Sequence, residues 1–367
     1  MTPAGDMARV LRAYVDAYLQ EIGQLTYADL CAVQEPPHAS VAYGAAGVAY
    51  ALCRAGETLA NRELLRQAWR WAGWARDGAR RRGAFDDPGD ARRVSRHALF
   101  YGRLGIHAVR ARIAHAQRRR AAFRREVAGY SRCWRRGPDR PLDLVEGVAG
   151  QLAGAAPLLL IEPNAPLRRL AAARAAALAE RARAWTPSRD DTSFAHGWPG
   201  GAYALLRWFY SLGQEVPQWL VARCLRLCDL RPAYGLALEP RRPRYLPSSW
   251  CNGAAGMTLL WVSAFEATGR PAFREAARRA GRALLSLADD GIPTLCCGAG
   301  GRAYAFLALE RIDPGRWRRR AEAVAVAAVA WSRRTAWPNG LLRGHPGLVC
   351  LALDLLAPTR GFPLLED

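Results

Sequence analysis

The chain has 367 residues, 51% of them hydrophobic, which is enough for a large core and too apolar for a disordered chain. It contains no lysine, so its 53 basic residues are all arginine and, against 32 acidic residues, leave a net charge of +21. No nucleic-acid reading module and no basic strip interleaved with aromatics accompanies that charge, which argues against nucleic-acid binding and leaves an acidic peptide as the partner it would attract.

In chain order, Met1–Gln24 is an amphipathic helical pattern carrying Asp6, Arg9, Arg12, Asp16 and Glu21. It has neither the apolar core nor the cleavage site of a signal peptide. Next comes Gly44-Ala45-Ala46-Gly47, followed by an apolar stretch, and the same G-x-x-G spacing returns six times. The first glycines fall at 44, 102, 147, 197, 253, 298 and 344, which are 45 to 58 residues apart. Seven such devices at near-regular spacing indicate a repeat architecture.

Between the devices lie arginine-rich amphipathic helices such as Asn61–Arg76, Leu167–Ala184 and Ala272–Leu287. After them come helices apolar nearly all round, such as Ala202–Tyr210 and Met257–Phe265, which must be buried. Each repeat therefore reads as an outer helix followed by an inner one. Seven hairpins closed into a ring give an all-α toroid with inner and outer rings of seven helices, one domain over 1–367.

Ala153–Ile161 and Ala323–Trp331 read as buried helix segments, too short to span a bilayer. Arg80-Arg81-Arg82, Arg118-Arg119-Arg120 and Arg318-Arg319-Arg320 read as solvated faces. Nine cysteines, scattered through a long apolar chain, indicate reduced thiols and a cytoplasmic location.

Chemistry gathers beside four of the glycine devices. Trp250-Cys251-Asn252-Gly253 leads the fifth and Leu295-Cys296-Cys297-Gly298 the sixth. Phe194-Ala195-His196-Gly197 leads the fourth, and Asp143-Leu144-Val145-Glu146-Gly147 the third. In equivalent repeats these residues share one end of the ring, near helix N-termini that favour anions, thiolates included. Three thiolates from two adjacent repeats suit a zinc ion with its fourth position open. Cys224 and Cys228, four apart on an outer helix, read as core, as do Cys31, Cys53, Cys133 and Cys350. His38, His97, His107 and His115 read as structural or surface groups, and His345, inside the seventh device, as a residue that could face the mouth.

From about Ala42 to Leu356, the seven devices together with DLVEGVAG, AHGWPGG, WCNGAAG and CCGAGG resemble the lanthionine synthetase C-like family. The resemblance implies an α/α toroid with zinc at its mouth. It also implies a reaction that adds a peptide cysteine thiol to dehydroalanine or dehydrobutyrine, giving a lanthionine or methyllanthionine thioether ring. Cys251 and Cys296 match two zinc-binding cysteines, and Cys297 stands where many members have histidine. His196 matches a histidine proposed for acid–base work, and Asp143 an acidic residue beside the site.

The pattern has departures. An arginine usual before the first zinc cysteine is absent from Leu246-Pro247-Ser248-Ser249-Trp250, leaving Arg244 further upstream. Asn252 replaces an aromatic or histidine, and Pro199 is unusual in its device. The implied partners are a dehydrated precursor peptide and a separate dehydratase, alone or in a complex, with no membrane insertion. Other readings stay open: addition of a small thiol such as glutathione, a peptide-binding scaffold, or a different α/α toroid.

Overall fold

In the computed structural model, residues 3–34, 37–81, 84–85, 95–135, 142–184, 193–230, 246–287, 291–334 and 338–366 are described. Among them every regular element is helical. The chain opens with α1 (Pro3–Gln24) and the short α2 (Tyr27–Val33). Seven inner helices follow at alternate positions: α3 (Ala45–Thr58), α5 (Arg103–Ala116), α7 (Val148–Ile161), α9 (Trp198–Ser211), α11 (Ala254–Thr268), α13 (Ala299–Ile312) and α15 (His345–Leu356). Between them run the outer helices α4 (Arg62–Gly78), α6 (Arg120–Trp134), α8 (Ala165–Ala184), α10 (Gln218–Leu230), α12 (Pro271–Ser286) and α14 (Trp317–Ser332). Each inner helix packs on the next around a closed circle, with α15 returning to α3. The fold is the expected α/α toroid.

The pairing within the ring differs from the sequence reading. The tight hairpins run from an inner helix to the outer helix that follows it, as in α3–α4, α5–α6, α11–α12 and α13–α14. Short turns such as 59–61 and 117–119 make this the nearer partner. The last inner helix, α15, is therefore covered by α1 from the other end of the chain. The amphipathic stripe of α1 supplies this contact through Leu11, Tyr14, Val15, Tyr18 and Ile22, all buried. Ala323–Trp331 is likewise corrected: it belongs to outer helix α14, where Ala325, Ala328 and Val329 are buried and Ala323 and Ala330 face solvent. Alanine-rich outer faces look apolar to a window average although only one stripe packs.

The glycine devices cap the inner helices. The first glycine of each is the N-cap, with φ between −111° and −154°, an extended conformation open to any residue. What demands glycine is proximity. A Cβ on the second glycine would lie 1.9 to 2.4 Å from the carbonyl oxygen six residues earlier in all seven repeats. Pro199 stands in the first turn of α9, where its missing N–H costs no helix bond.

The loops ahead of the devices are stitched to one another. The residue two before each first glycine pairs through its backbone with the next loop: Ala42 with Phe100, Phe100 with Val145, and Ala195 with Cys251, while in the third loop the onward bond to Ala195 comes from Leu144, one residue earlier. Cys251 pairs with Cys296, Cys296 with Leu342, and Leu342 with Ala42. These bonds of 2.8 to 3.4 Å close a belt around one end of the ring.

Residues 360–366 fold back into the core, where Phe362, Leu364 and Leu365 are buried. The Phe362 ring stacks on Trp250 at 4.9 Å and 9°, directly beneath the loop that carries Cys251. No described helix is long and apolar enough to cross a membrane.

Candidate metal centre at the mouth of the ring

The belt fixes where each functional side chain starts. Cys251 and Cys296 occupy the same belt position in adjacent loops and bond to each other through their backbones. Cys297 is one residue further on. The three sulfurs lie within 4.8 Å of one another, with Cys251 Sγ and Cys297 Sγ 3.9 Å apart. Sulfurs at about 2.3 Å from a tetrahedral zinc stand about 3.8 Å apart, so the donor set and its spacing fit that ion. Cys251 and Cys296 are buried and Cys297 is half-buried, leaving one side of the trio accessible.

The trio shares negative charge unevenly. Cys297 accepts hydrogen bonds from Cys251 and Cys296, which hold its thiol down to about 3, with the charge of Arg343 adding to the effect. Cys296 is pushed well up by donating to its two neighbours and by burial. Cys251 is lowered by Cys296, but donation to Cys297 and burial outweigh this and carry it up to about 12.

His196 is the residue immediately before the fourth device, the position Cys297 holds in the sixth. Its Nδ1 lies 2.8 Å from Asp143 Oδ2. A carboxylate only accepts, so Nδ1 carries the proton and donates it to Asp143, which makes Nε2 the basic nitrogen of the ring. The other carboxylate oxygen, Oδ1, accepts from the backbone N–H of Val145 at 2.8 Å and of Glu146 at 2.6 Å. Asp143 is buried, whereas the His196 side chain is 48% exposed, so a fixed acid orients an accessible imidazole.

Sequence reasoning found distinctive chemistry at four devices, but the position just before the first glycine is populated all round by Tyr43, Tyr101, Glu146, His196, Asn252, Cys297 and Arg343. Arg343 lies over the Tyr43 ring at 5.3 Å, and the Tyr43 and Tyr101 hydroxyls are 3.2 Å apart. Aligning the seven devices on their glycines would have exposed these three residues. Arg343 brings a cation to the thiols, whereas Arg244 lies outside the described residues, as does Arg82.

The remaining candidates have structural partners. His345 Nδ1 is 2.8 Å from the Tyr14 hydroxyl of α1, and burial pushes its imidazole below the usual range. It joins α1 to α15 and does not gather with the thiols. His97 Nδ1 is 3.4 Å from Cys133 Sγ, and His107 pairs with Glu126 at 2.9 Å. Cys224 and Cys228 are buried on α10.

An α/α toroid with a trithiol cluster at the belt, beside a histidine–carboxylate pair, defines a class of ring-shaped helical proteins whose cysteines could hold a metal ion. Residues 39–365 match the family described as "Lanthionine synthetase C-like protein", and the chain belongs to that family. Among solved structures it is similar to "Nisin cyclase", with a TM-score of 0.69, 13% identity and 98% of each chain covered. Among curated proteins it is similar to "Glutathione S-transferase LANCL1" of Danio rerio, 33% identical over 187 residues. That match covers 47% of this chain and 45% of the relative, so the chain spans about half the length of the curated relative it matches.

Proposed function

We propose that the chain is a zinc-dependent lanthipeptide cyclase that joins peptide cysteine thiols to dehydroalanine or dehydrobutyrine. The observation that carries this reading is the trithiol cluster, held by the same belt as the His196–Asp143 pair. Cys251, Cys296 and Cys297 are the metal ligands, and His196 and Asp143 the catalytic pair. A zinc ion held by the three cysteines would supply a Lewis-acidic position that favours the thiolate of an incoming thiol near neutral pH.

The rest of the chemistry falls to the protein. The substrate sulfur bonds to the β-carbon of the dehydro residue, and the alkene π pair moves through Cα onto the carbonyl as an enolate. The thiol has lost one proton and Cα must gain one, so the step balances through an acid–base group that takes and returns a proton. His196 Nε2 is that group, because Nδ1 is occupied by Asp143. Asp143 holds the ring in place and stabilises the imidazolium. The substrate is a dehydrated precursor peptide delivered by a separate dehydratase, in the cytoplasm.

Zinc stoichiometry on the purified chain beside Cys251→Ala and Cys297→Ala tests the metal. One tightly held zinc in the parent, lost or weakened in both variants, is the expected result. A dehydrated peptide carrying one cysteine then tests the reaction, with ring closure read as loss of an alkylatable thiol. Full turnover by Cys251→Ala would refute the catalytic reading and favour a scaffold. A second reading, addition of glutathione to the dehydrated residue, is favoured by the similarity to the Danio rerio glutathione S-transferase. Incubation of a cysteine-free dehydrated peptide with glutathione separates the two by the mass gained.

A further inference from the structure

At the end of the ring opposite the belt, the tips of the α3–α4 and α5–α6 hairpins flank an open cavity of about 930 Å³. Five guanidinium groups line it, from Arg62, Arg66, Arg118, Arg119 and Arg360, against one carboxylate, Glu57. Three are engaged nearby: Arg360 pairs with Glu57 at 2.7 Å, Arg66 with Glu63, and Arg119 stacks over Trp69 at 4.6 Å. Among the described residues, no carboxylate pairs with Arg62 or Arg118. Uncompensated cations gathered in a concavity attract multiply charged anions, and guanidinium forks match phosphoryl oxygens two at a time.

The backbone supplies an independent observation. The α5–α6 turn is closed by Arg119 N–H to Ala114 O at 2.7 Å and Arg118 N–H to His115 O at 2.8 Å. The α9–α10 turn is built alike, with Gln214 N–H to Phe209 O and Gly213 N–H to Tyr210 O. In that frame the residue past the helix end is left-handed, which glycine adopts without strain. Gly213 takes it at φ 60° and Gly269, after α11, at φ 66°. In the α5–α6 turn it is Arg118, at φ 57°, and in the α3–α4 turn, closed by Asn61 N–H to Gly56 O, it is Ala60, at φ 50°. Both hairpin tips at the cavity thus carry a left-handed residue other than glycine, Ala60 and Arg118, and such strain concentrates at binding sites.

We propose that this cavity is a second binding site, for a small anion bearing two or more phosphoryl groups. The shape decides against an acidic peptide: the arginines surround one pocket of small-molecule volume and do not line an extended strip. The site is on the far side of the ring from the thiol cluster, and its occupancy is separate from the cyclase reading.

The test is calorimetric titration of the full chain with inorganic tripolyphosphate, beside Arg62→Gln, Arg118→Gly and, away from the pocket, Arg320→Gln. The expected result is one saturable site that weakens with salt and loses at least about tenfold in affinity in the first two variants only. Arg118→Gly should melt no lower than the parent, because glycine relieves the turn while removing the guanidinium. No saturation below about 1 mM, equal binding by all four proteins, or a lower melting temperature for Arg118→Gly would overturn the proposal. Tighter binding of an oligoglutamate peptide that displaces tripolyphosphate would also overturn it, in favour of an acidic peptide.

Discussion

Asp143 performs two tasks that can be separated. Four residues before the first glycine, other loops carry Ser40, Ser193, Ser249 and Thr294, each accepting the backbone N–H just ahead of its device at 3.1 to 3.5 Å. Asp143 does this for Glu146 with one oxygen and holds His196 with the other. Serine should therefore restore the turn without restoring the imidazole contact. Asp143→Ser is expected to keep the parent melting temperature while kcat for ring closure falls about 10²-fold. Asp143→Ala should lose the same activity and also about 1 kcal/mol of stability. Equal cyclisation by Asp143→Ser and the parent would leave Asp143 only a turn residue. Cys297 feels the charge of Arg343. A Zn²⁺ ion held by three thiolates would leave a net charge of −1, which the charge of Arg343 would offset. Arg343→Gln should weaken zinc binding about three- to tenfold in chelator competition, while Arg343→Lys retains most of the affinity. The thiols, His196 and Asp143 were legible in the sequence because rare residue types stood in register with the glycines. Arg343 was not, since one arginine among 53 carries no signal until the seven loops are superposed.

The elements show the same division. Inner and outer helices could be read from periodicity, because an inner helix is apolar all round and an outer one only along a stripe. Residues 360–366 have no periodicity, and nothing local announces that they enter the core. Their anchor is Glu366, whose carboxylate meets Arg311 at 3.2 Å and accepts the Phe362 N–H at 2.9 Å. Burial alone would raise its pKa, but the charges of Arg311 and Arg207 outweigh it and hold the group at about 2. An acid depressed in the folded state stabilises fully above its unfolded pKa, near about 4.3, and loses that stabilisation as pH falls towards 2. The contribution at neutral pH is on the order of 3 kcal/mol. Glu366→Gln should accordingly melt lower than the parent at pH 7, with the gap narrowing steadily from pH 5 to pH 3. A gap independent of pH would mean that the loss comes from packing and not from ionisation. Phe362→Ala should also loosen the Trp250–Cys251 loop, since it removes the ring stacked under Trp250.

At the scale of the whole molecule, closure is the property that a list of repeats does not contain. An open stack of hairpins is held by nearest-neighbour interfaces and frays from its terminal repeats. Here the first and last inner helices are neighbours, Leu342 and Ala42 bond through their backbones at 3.2 Å, and α1 covers α15. The sequence suggested a ring through the number and spacing of its devices. It did not reveal that α1 serves as the seventh outer helix, because that pairing joins residues more than 300 positions apart, such as Tyr14 and His345. If closure governs stability, the belt amides of Ala42, Leu144, Ala195, Cys296 and Leu342 should exchange with solvent together, at the rate of global opening. Placing a charge under α1 with Val15→Asp, at a fully buried position, should break this equality by an unpaired buried carboxylate. Exchange at Ala42 and Leu342 would then quicken first, while Leu144 and Ala195, on the far arc, stay protected. Parent amides that already exchange fastest at 42 and 342 would show that the ring behaves as an open stack whose ends merely touch.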